Sequence, residues 1–237
     1  MPKNTAYKVL SVGGSIIIPK TGFDISFLKK FRKLILNRVK RGDKFVLIIG
    51  GGATCRAYQN ALTQVIKLPN KPLHQLGVYS TWFNAEFVKL LFGKYACDTV
   101  IKNPTDRKML KRVQHDRRPI IVAAGWKPGF STDTDSILLA KQFGAKEVIN
   151  LSNIDYVYDK DPNKFSNAKK IEKISWKDFR RNIVGYKWLP GKNSPFDPIA
   201  SALAEKLGLK VVVMNGNNLV EVKRALEGKR FKGTAIV

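Results

Sequence analysis

Three apolar, strand-like runs in this chain each stop at a glycine-containing loop and resume as helix-compatible sequence, a punctuation that points to βα units. The first, Lys8-Val9-Leu10-Ser11-Val12, ends in Gly13-Gly14-Ser15; the second, Phe45-Val46-Leu47-Ile48-Ile49, ends in Gly50-Gly51-Gly52 and leads into Ala53-Thr54-Cys55-Arg56. The third covers 119–124 and ends in Gly125. Glycine lets another group reach the main chain with no Cβ in the way, and N–H groups at a helix start converge on an anion. Each loop alone also suits a tight strand-to-helix turn or a glycine bulge. Three of them together place a ligand outside the carboxyl ends of a mainly parallel sheet.

The third loop continues as Trp126-Lys127-Pro128-Gly129-Phe130-Ser131-Thr132-Asp133. Ser131 and Thr132 offer hydroxyl donors, Asp133 stands in the first helical turn where the dipole favours negative charge, and Ile137, Leu138 and Ala140 with Gly144 as a stop support the helix. Arg56, about one turn into the helix after the glycine triplet, is suited to fork onto phosphate oxygens. A fourth constellation follows the strand-like run at 148–151. Ser152 and Asn153 bring polar groups suited to a ribose or a base edge, Tyr158 brings a flat face, and Asp161 precedes Pro162; an Asx-turn loop fits the same residues.

Commoner phosphate and metal motifs are excluded. Gly191-Lys192 is followed by Asn193 and Gly93-Lys94 by Tyr95, so no G-x-x-x-x-G-K-[ST] occurs, and no G-x-G-x-x-G follows a strand. The segment from Asp159 opens like a calcium loop, but Lys164 takes the glycine position and Lys170 the final glutamate.

Reading on from the start, the sequence predicts strand 7–18, helix 24–40, strand 45–49, helix 53–67, a loop and helix over 71–93, and a short strand near 98–101. A basic stretch follows, then strand 119–124, helix 133–143, strand 147–151, helix 197–207, strand 210–214, helix 218–227 and strand 232–236. The alternation predicts a mainly parallel sheet with helices on both faces. The region 183–195, with Trp188, Pro190 and Gly191, reads as a surface connection or lid.

Taken in order, these residues resemble the amino-acid kinase superfamily and, within it, archaeal-type uridylate (UMP) kinases. The resemblance rests on Gly13-Gly14-Ser15, Gly50-Gly51-Gly52 with Arg56, Gly77 with Thr81 and Asn84-Ala85, the run 128–133, Ser152-Asn153-Ile154-Asp155 with Tyr158 and Asp161-Pro162, and Phe196-Asp197-Pro198-Ile199-Ala200. It implies one three-layer αβα domain over 1–237, with residues 1–153 as the acceptor lobe and 154–237 as the nucleotide lobe. It also implies phosphoryl transfer from Mg²⁺-ATP to UMP, and a homo-oligomer, a hexamer, in which Trp82 and Phe83 are exposed aromatic candidates. By the same resemblance Gly14, Ser15, Gly52, Arg56, Ser152, Asn153, Tyr158 and Asp161 lie on the ATP side. Gly51, His74, Trp126, Lys127, Pro128, Gly129, Phe130, Ser131 and Thr132 lie on the UMP side, and Arg56, Asp133 and Lys192 carry the catalytic work.

Three positions depart from the family pattern. His74 stands where an Asp usually accepts from the UMP ribose, and Tyr156 stands where glycine is usual. Ser11 occupies the place of a lysine used by much of the superfamily, with Lys8, Lys127 or Lys192 as substitutes. An isopentenyl phosphate kinase is disfavoured because the glycine triplet is followed by Ala53-Thr54-Cys55-Arg56 with no histidine.

The 43 Lys and Arg against 18 Asp and Glu give a net charge of +25, which draws polyanions and keeps open a rival reading as a nucleic-acid binder or nucleotide sensor that has lost phosphoryl transfer. The basic residues around the Leu28, Phe31, Ile35, Val39 stripe also suit a solvated helix face. Two cysteines, Cys55 and Cys97, make neither a disulfide framework nor a four-ligand zinc site, so a reducing cytoplasm is expected. The first 20 residues lack a secretory apolar core, and no apolar run approaches the roughly 20 residues that span a bilayer.

Overall fold

The structure, a computed structural model, describes residues 7–187 and 194–237. The strand run at the start is β1 (Lys8–Val12), but the chain then turns at Gly13 into a short helix α1 (Gly14–Ile17), where a strand to 18 was expected. Ile16 and Ile17 are buried in either conformation, and an apolar run of this length does not distinguish strand from helix. Helix α2 (Ile25–Val39) is capped by Asp24, whose carboxylate accepts from Phe27 N–H at 2.9 Å, and buries Leu28, Phe31 and Ile35. Strand β2 (Phe45–Ile49) is buried along its whole length.

Beyond the glycine triplet come α3 (Gly52–Val65) and the long α4 (Asn70–Phe92). The expected strand near 98–101 is only an edge segment. It touches the next strand at two isolated bridges, Ala96 with Ile120 and Ile101 with Ala123. The basic stretch folds as α5 (Arg107–His115), since Asp106 caps it and Leu110 and Val113 face inward. Strand β3 (Ile120–Ala123), helix α6 (Thr132–Gln142) and strand β4 (Glu147–Ser152) follow.

The second part of the chain adds a hairpin of β5 (Val157–Tyr158) and β6 (Lys170–Ile171), then β7 (Lys173–Ile174) and α7 (Trp176–Asp178), which runs into a π-helical turn Phe179–Val184. Helix α8 (Pro198–Lys206), strand β8 (Lys210–Asn215), helix α9 (Leu219–Leu226) and strand β9 (Thr234–Ile236) complete it.

The main sheet has seven strands in the order β3-β2-β1-β4-β8-β9-β7. The pairs from β3 to β8 are all parallel, whereas β9 turns back antiparallel to β8, so the last expected strand does not continue the parallel alternation. Two apolar layers cover the two faces. One holds Phe31, Ile35, Val88 and Phe92 from α2 and α4; the other holds Leu110, Ile137 and Ala200 from α5, α6 and α8. Among the described residues no helix is long and apolar enough to cross a membrane.

The first two glycine loops are pressed against each other. A Cβ on Gly14 would lie 2.1 Å from Gly52 N and 2.5 Å from Gly50 O, and one on Gly52, whose φ is +60°, would lie 2.4 Å from Gly14 C. The obstructing atoms are main chain and cannot rotate away. Gly14→Ala is therefore expected to destabilise the protein by about 3 kcal/mol or more, at the upper end of overpacking. Gly42→Ala, with φ +93° and open space around it, should cost only about 1–2 kcal/mol of left-handed backbone strain. Urea denaturation of both variants checks this, and equal losses would remove the loop contact as the cause.

Candidate active site

Because β3, β2, β1 and β4 are adjacent and parallel, the loops after them leave one edge of the sheet side by side. Gly13-Gly14-Ser15, Gly50-Gly51-Gly52, residues 125–131 and the segment from Ser152 are thereby gathered on that edge. Asn84 of α4 ties the second loop down by donating through Nδ2 to the carbonyls of Gly50 and Gly51, each at 2.9 Å. Helices α1 and α3 start from Gly13 and Gly51 without a side-chain cap. In the first turn of α3 the Ala53 N–H donates to Ile18 O at 3.2 Å and the Cys55 N–H to Gly51 O at 3.1 Å; those of Gly52 and Thr54 have no intrahelical acceptor and are open to an anion.

The third loop is held from both sides. Gly125 N–H donates to Thr81 Oγ1 at 2.8 Å, Trp82 Nε1 donates to Gly125 O at 2.7 Å, and Trp126 N–H donates to Asp135 Oδ2 at 3.0 Å. Lys127-Pro128-Gly129-Phe130 then closes a turn, with Phe130 N–H donating to Lys127 O at 3.1 Å and Gly129 at φ +89°, as a Pro-Gly type II turn requires. The rings of Trp126 and Phe130 lie 4.7 Å apart, and Lys127 Nζ sits 4.0 Å from the Trp126 ring centre and 5.1 Å from that of Phe130. The turn thus presents one cation on an aromatic pair at the rim.

Beneath the turn lie three carboxyl groups. Ser131 caps α6 by accepting from Thr134 N–H at 3.1 Å, and its hydroxyl also donates to Asp197 in a close contact. Asp197 in turn caps α8, accepting from Ile199 and Ala200 N–H at 2.7 and 2.8 Å, and its own N–H donates to Asp133 at 3.2 Å. Burial raises Asp133, and Asp197 adds repulsion; the Asp197 N–H and the Ser11 hydroxyl oppose this, leaving the carboxyl at about 7. Asp135 is fully buried, with Oδ1 lacking any partner. Burial pushes it up to about 7 as well, against the Trp126 N–H and with help from Asp197.

Of the expected site residues, Gly14, Ser15, Gly51, Gly52, the 126–132 loop, Asp133, Ser152 and Asn153 gather at the one edge. Arg56 is exposed on α3 and has no ion-pair partner among the described residues. His74 is half-buried on α4, one turn before Gly77, which packs beside Cys55 and Gln59. Asp161 forms the Asx turn, accepting from Asn163 N–H at 2.9 Å, and Tyr158 is half-buried in the β5–β6 hairpin.

Lys8 does not reach the site: it lies at the amino end of β1 and donates to Leu226 O at 3.0 Å, lining a cleft of about 520 Å³ at the opposite edge. Lys192 lies outside the described residues, as do Trp188, Pro190 and Gly191. Trp82 is turned inward onto Gly125, so of the two exposed aromatic candidates only Phe83, 71% exposed, stands free, with Tyr79 and Leu90 on the same helix. Cys97 is buried and its thiol is pushed up to about 12, chiefly by burial.

Sequence reading assigned no role to Asp135, Asp197, Asn150, Thr81 or Asn84. The signals were present for two of them: two acids in the first turn of α6, and Asp197 directly before a proline at a helix start. Asn150 stands beside Ser11 in the parallel register of β1 and β4, and reaches Asp133 at 3.4 Å.

The family model for the amino acid kinase family matches residues 6–215. A uridylate kinase from Methanocorpusculum labreanum is 29% identical over 228 residues, covering 96% of this chain and 94% of that protein. One from Methanocaldococcus jannaschii is 29% identical over 208 residues, covering 88% and 90%. Among solved structures, uridylate kinase from Archaeoglobus fulgidus aligns with a TM-score of 0.78 at 24% identity, covering 98% of this chain and 100% of its own. UMP kinase from Bacillus anthracis aligns at 0.76 and 21%, covering 98% and 96%.

The carboxyl at Asp135 gives a pH prediction. Its folded value of about 7 lies above the roughly 3.9 of an unfolded Asp. Between those values the folded state binds the extra proton. The group therefore favours folding fully below about pH 4, and that contribution is lost as pH rises toward 7. Asp135→Asn keeps an acceptor for Trp126 N–H and removes the buried charge. It should raise stability at pH 8 by on the order of 2–4 kcal/mol and change it little at pH 4, as read by urea denaturation at both pH values.

Proposed function

The chain belongs to the amino acid kinase family, and from that premise we propose that it is a uridylate kinase, transferring the γ-phosphoryl group of ATP to UMP to give UDP and ADP. The observation that carries this reading is the convergence, at one edge of the sheet, of the glycine loops after β1, β2 and β3 with the Ser152-Asn153 segment after β4. Relatives named uridylate kinase along nearly their whole length support it.

In this reading Gly14, Ser15, Gly52, Ser152, Asn153, Tyr158 and Asp161 hold ATP, and Gly51, His74 and the 126–132 loop hold UMP. Residues 1–153 form the acceptor end of the domain and 154–237 the donor end. An oxygen of the UMP phosphate attacks the γ-phosphorus, the bond to the β–γ bridging oxygen breaks, and ADP leaves with the electron pair. A phosphate nucleophile is already ionised near neutrality, so the protein supplies alignment and charge neutralisation. Arg56 neutralises phosphoryl oxygens, while Asp133 fixes the start of α6 under the reacting groups.

Magnesium enters with ATP as part of the substrate. A magnesium ion bound with ATP is held chiefly by phosphate oxygens and water. The enzyme would serve pyrimidine nucleotide synthesis in the cytoplasm, as a homo-oligomer, a hexamer, joined in part through the exposed Tyr79, Phe83 and Leu90 of α4.

A coupled assay for ADP release with Mg²⁺-ATP should show UMP phosphorylated in preference to CMP or AMP, and Arg56→Ala should lower kcat/KM by about 10²-fold, roughly 3 kcal/mol of transition-state contact. No UDP from folded, ATP-binding protein would sink the reading in favour of a sensor. Unchanged kinetics for the variant with a lower melting temperature would make Arg56 part of the scaffold.

A second prediction concerns His74. A carboxylate accepts from both ribose hydroxyls and a neutral imidazole through one nitrogen, so His74→Asp should tighten UMP binding by about 10- to 100-fold and leave ATP binding nearly unchanged. Calorimetry showing weaker UMP binding in the variant would reopen the identity of the acceptor.

A further inference from the structure

Helix α5 carries Arg107, Lys108, Lys111 and Arg112 within nine residues and no acid between its ends. Leu110 and Val113 turn into the core, which leaves the four cations exposed on the outer side. Arg107 and Lys111, like Lys108 and Arg112, are four residues apart, which stacks like charges about 6 Å apart along the axis. Such pairs weaken a helix, and cations in its first turn oppose the dipole.

Among the described residues no acid beside the helix pairs with these four cations. Asp106 is occupied in capping, accepting from Lys108 and Met109 N–H at 2.9 and 3.1 Å. Asp116 is paired to Arg118 at 2.9 Å, and Arg118 also holds Asp98. Some cations elsewhere are paired, as in Arg38 with Asp43 at 2.6 Å, or Arg41 and Lys229 with Glu227 at 3.3 and 2.9 Å, while the exposed Lys29, Lys30 and Lys33 of α2 have no ion pair among the described residues and serve as the comparison. A ridge that disfavours its own helix and stays unpaired in the folded chain is matched to negative charge from outside.

The shape of the ridge selects the partner. The segment before α5 bridges to Ala123 at the carboxyl end of β3, and the chain returns to Ile120 after it, so α5 runs back antiparallel to the strands on the face it shares with α6 and α8. Two rows of cations along the exposed side of such a helix suit a linear polyanion. An anionic lipid surface would call for apolar residues on the same face, and the α5 face that carries the cations has none; Met109 is half-buried against the core. No aromatic residue lies within the helix to stack a base. We propose that the outer face of α5, extended by Arg117, is a docking surface for nucleic acid, which it holds by the phosphodiester backbone without reading bases. This site is separate from the edge where the glycine loops meet and does not depend on the phosphoryl-transfer reading.

The test is fluorescence anisotropy of a labelled 20-nucleotide single-stranded RNA with the full chain at 50 and 200 mM salt. Four phosphate contacts give a slope of log K against log salt of about −3, so affinity should fall roughly 50-fold over that range. The triple variant Lys108→Gln, Lys111→Gln, Arg112→Gln should reduce the slope to about −1 and weaken binding at 50 mM by about tenfold or more. Equal charge removed from the exposed face of α2, by Lys29→Gln, Lys30→Gln, Lys33→Gln, should leave the slope unchanged and affinity within about twofold. Thermal midpoints no lower than that of the unsubstituted chain show that both variants fold. Equal losses in the two variants would reduce the effect to attraction by net charge and overturn the proposal. So would an absence of RNA binding at 50 mM salt, or tighter capture by phosphatidylserine–phosphatidylcholine vesicles than by RNA.

Discussion

Everything at the loop edge depends on two main-chain segments passing closer than any side chain permits. Gly14 lies against Gly50 and Gly52 with no space for a Cβ on any of the three. That contact locks the ends of β1 and β2 together, and Asn84 braces it from α4. Its consequence is that the N–H groups at the start of α3 sit beside the first loop on a rigid base. Helices that cradle phosphates need such pre-organisation, since donors that must first be ordered contribute less to binding. The glycines therefore serve contact between the loops before they serve any ligand.

The second organising feature is a contrast of charge. The chain carries +25, yet the ground under the Lys127–Phe130 turn is acidic. Asp133, Asp135 and Asp197 are packed there with hydroxyls, amides and N–H groups as their partners. Like carboxyls this close and this buried are costly when ionised. Two of them are accordingly held near neutrality, and hydrogen bonding in place of ion pairing fixes the start of α6 to the start of α8. The basic exterior and the acidic interior do different work: the first creates a field that favours anions in solution, the second fixes the geometry of the loop edge.

The sequence made the parallel sheet and its loop edge legible because glycine and β-branched residues mark strand ends by local sterics, independent of tertiary context. Helix α2 was legible from its 3.6-residue stripe, and α6 from Ile137, Leu138 and Ala140 with Gly144 as its stop. Ile16 and Ile17 misled because burial on all sides erases periodicity. Helix α5 was missed because four cations obscured an inward face of only Leu110 and Val113. The reversal at β9 depends on which edge of the sheet is free when the chain arrives, a matter decided by packing and not by residues 232–236. The site was readable where main chain makes it. It was unreadable where side chains distant in sequence, such as Asp197 and Ser131, meet.

Position 11 shows how these features combine. A lysine there would lie beside Asp133 and give that carboxyl a cation; Ser11 gives it only a hydrogen bond, and the carboxyl rises to about 7. Charge neutralisation is thus moved out of the floor of the site. Of the lysines able to replace it, Lys8 is committed to the far end of β1. Lys127 stands at the rim, its ammonium resting on Trp126 and Phe130 with no carboxylate among the described residues holding it. A cation parked on aromatic faces is held weakly, by about 0.5–1 kcal/mol at an exposed site, so an approaching phosphate outcompetes the rings. The buried acids beneath keep the loop that carries Lys127 in place through the Trp126 N–H and the Ser131 hydroxyl.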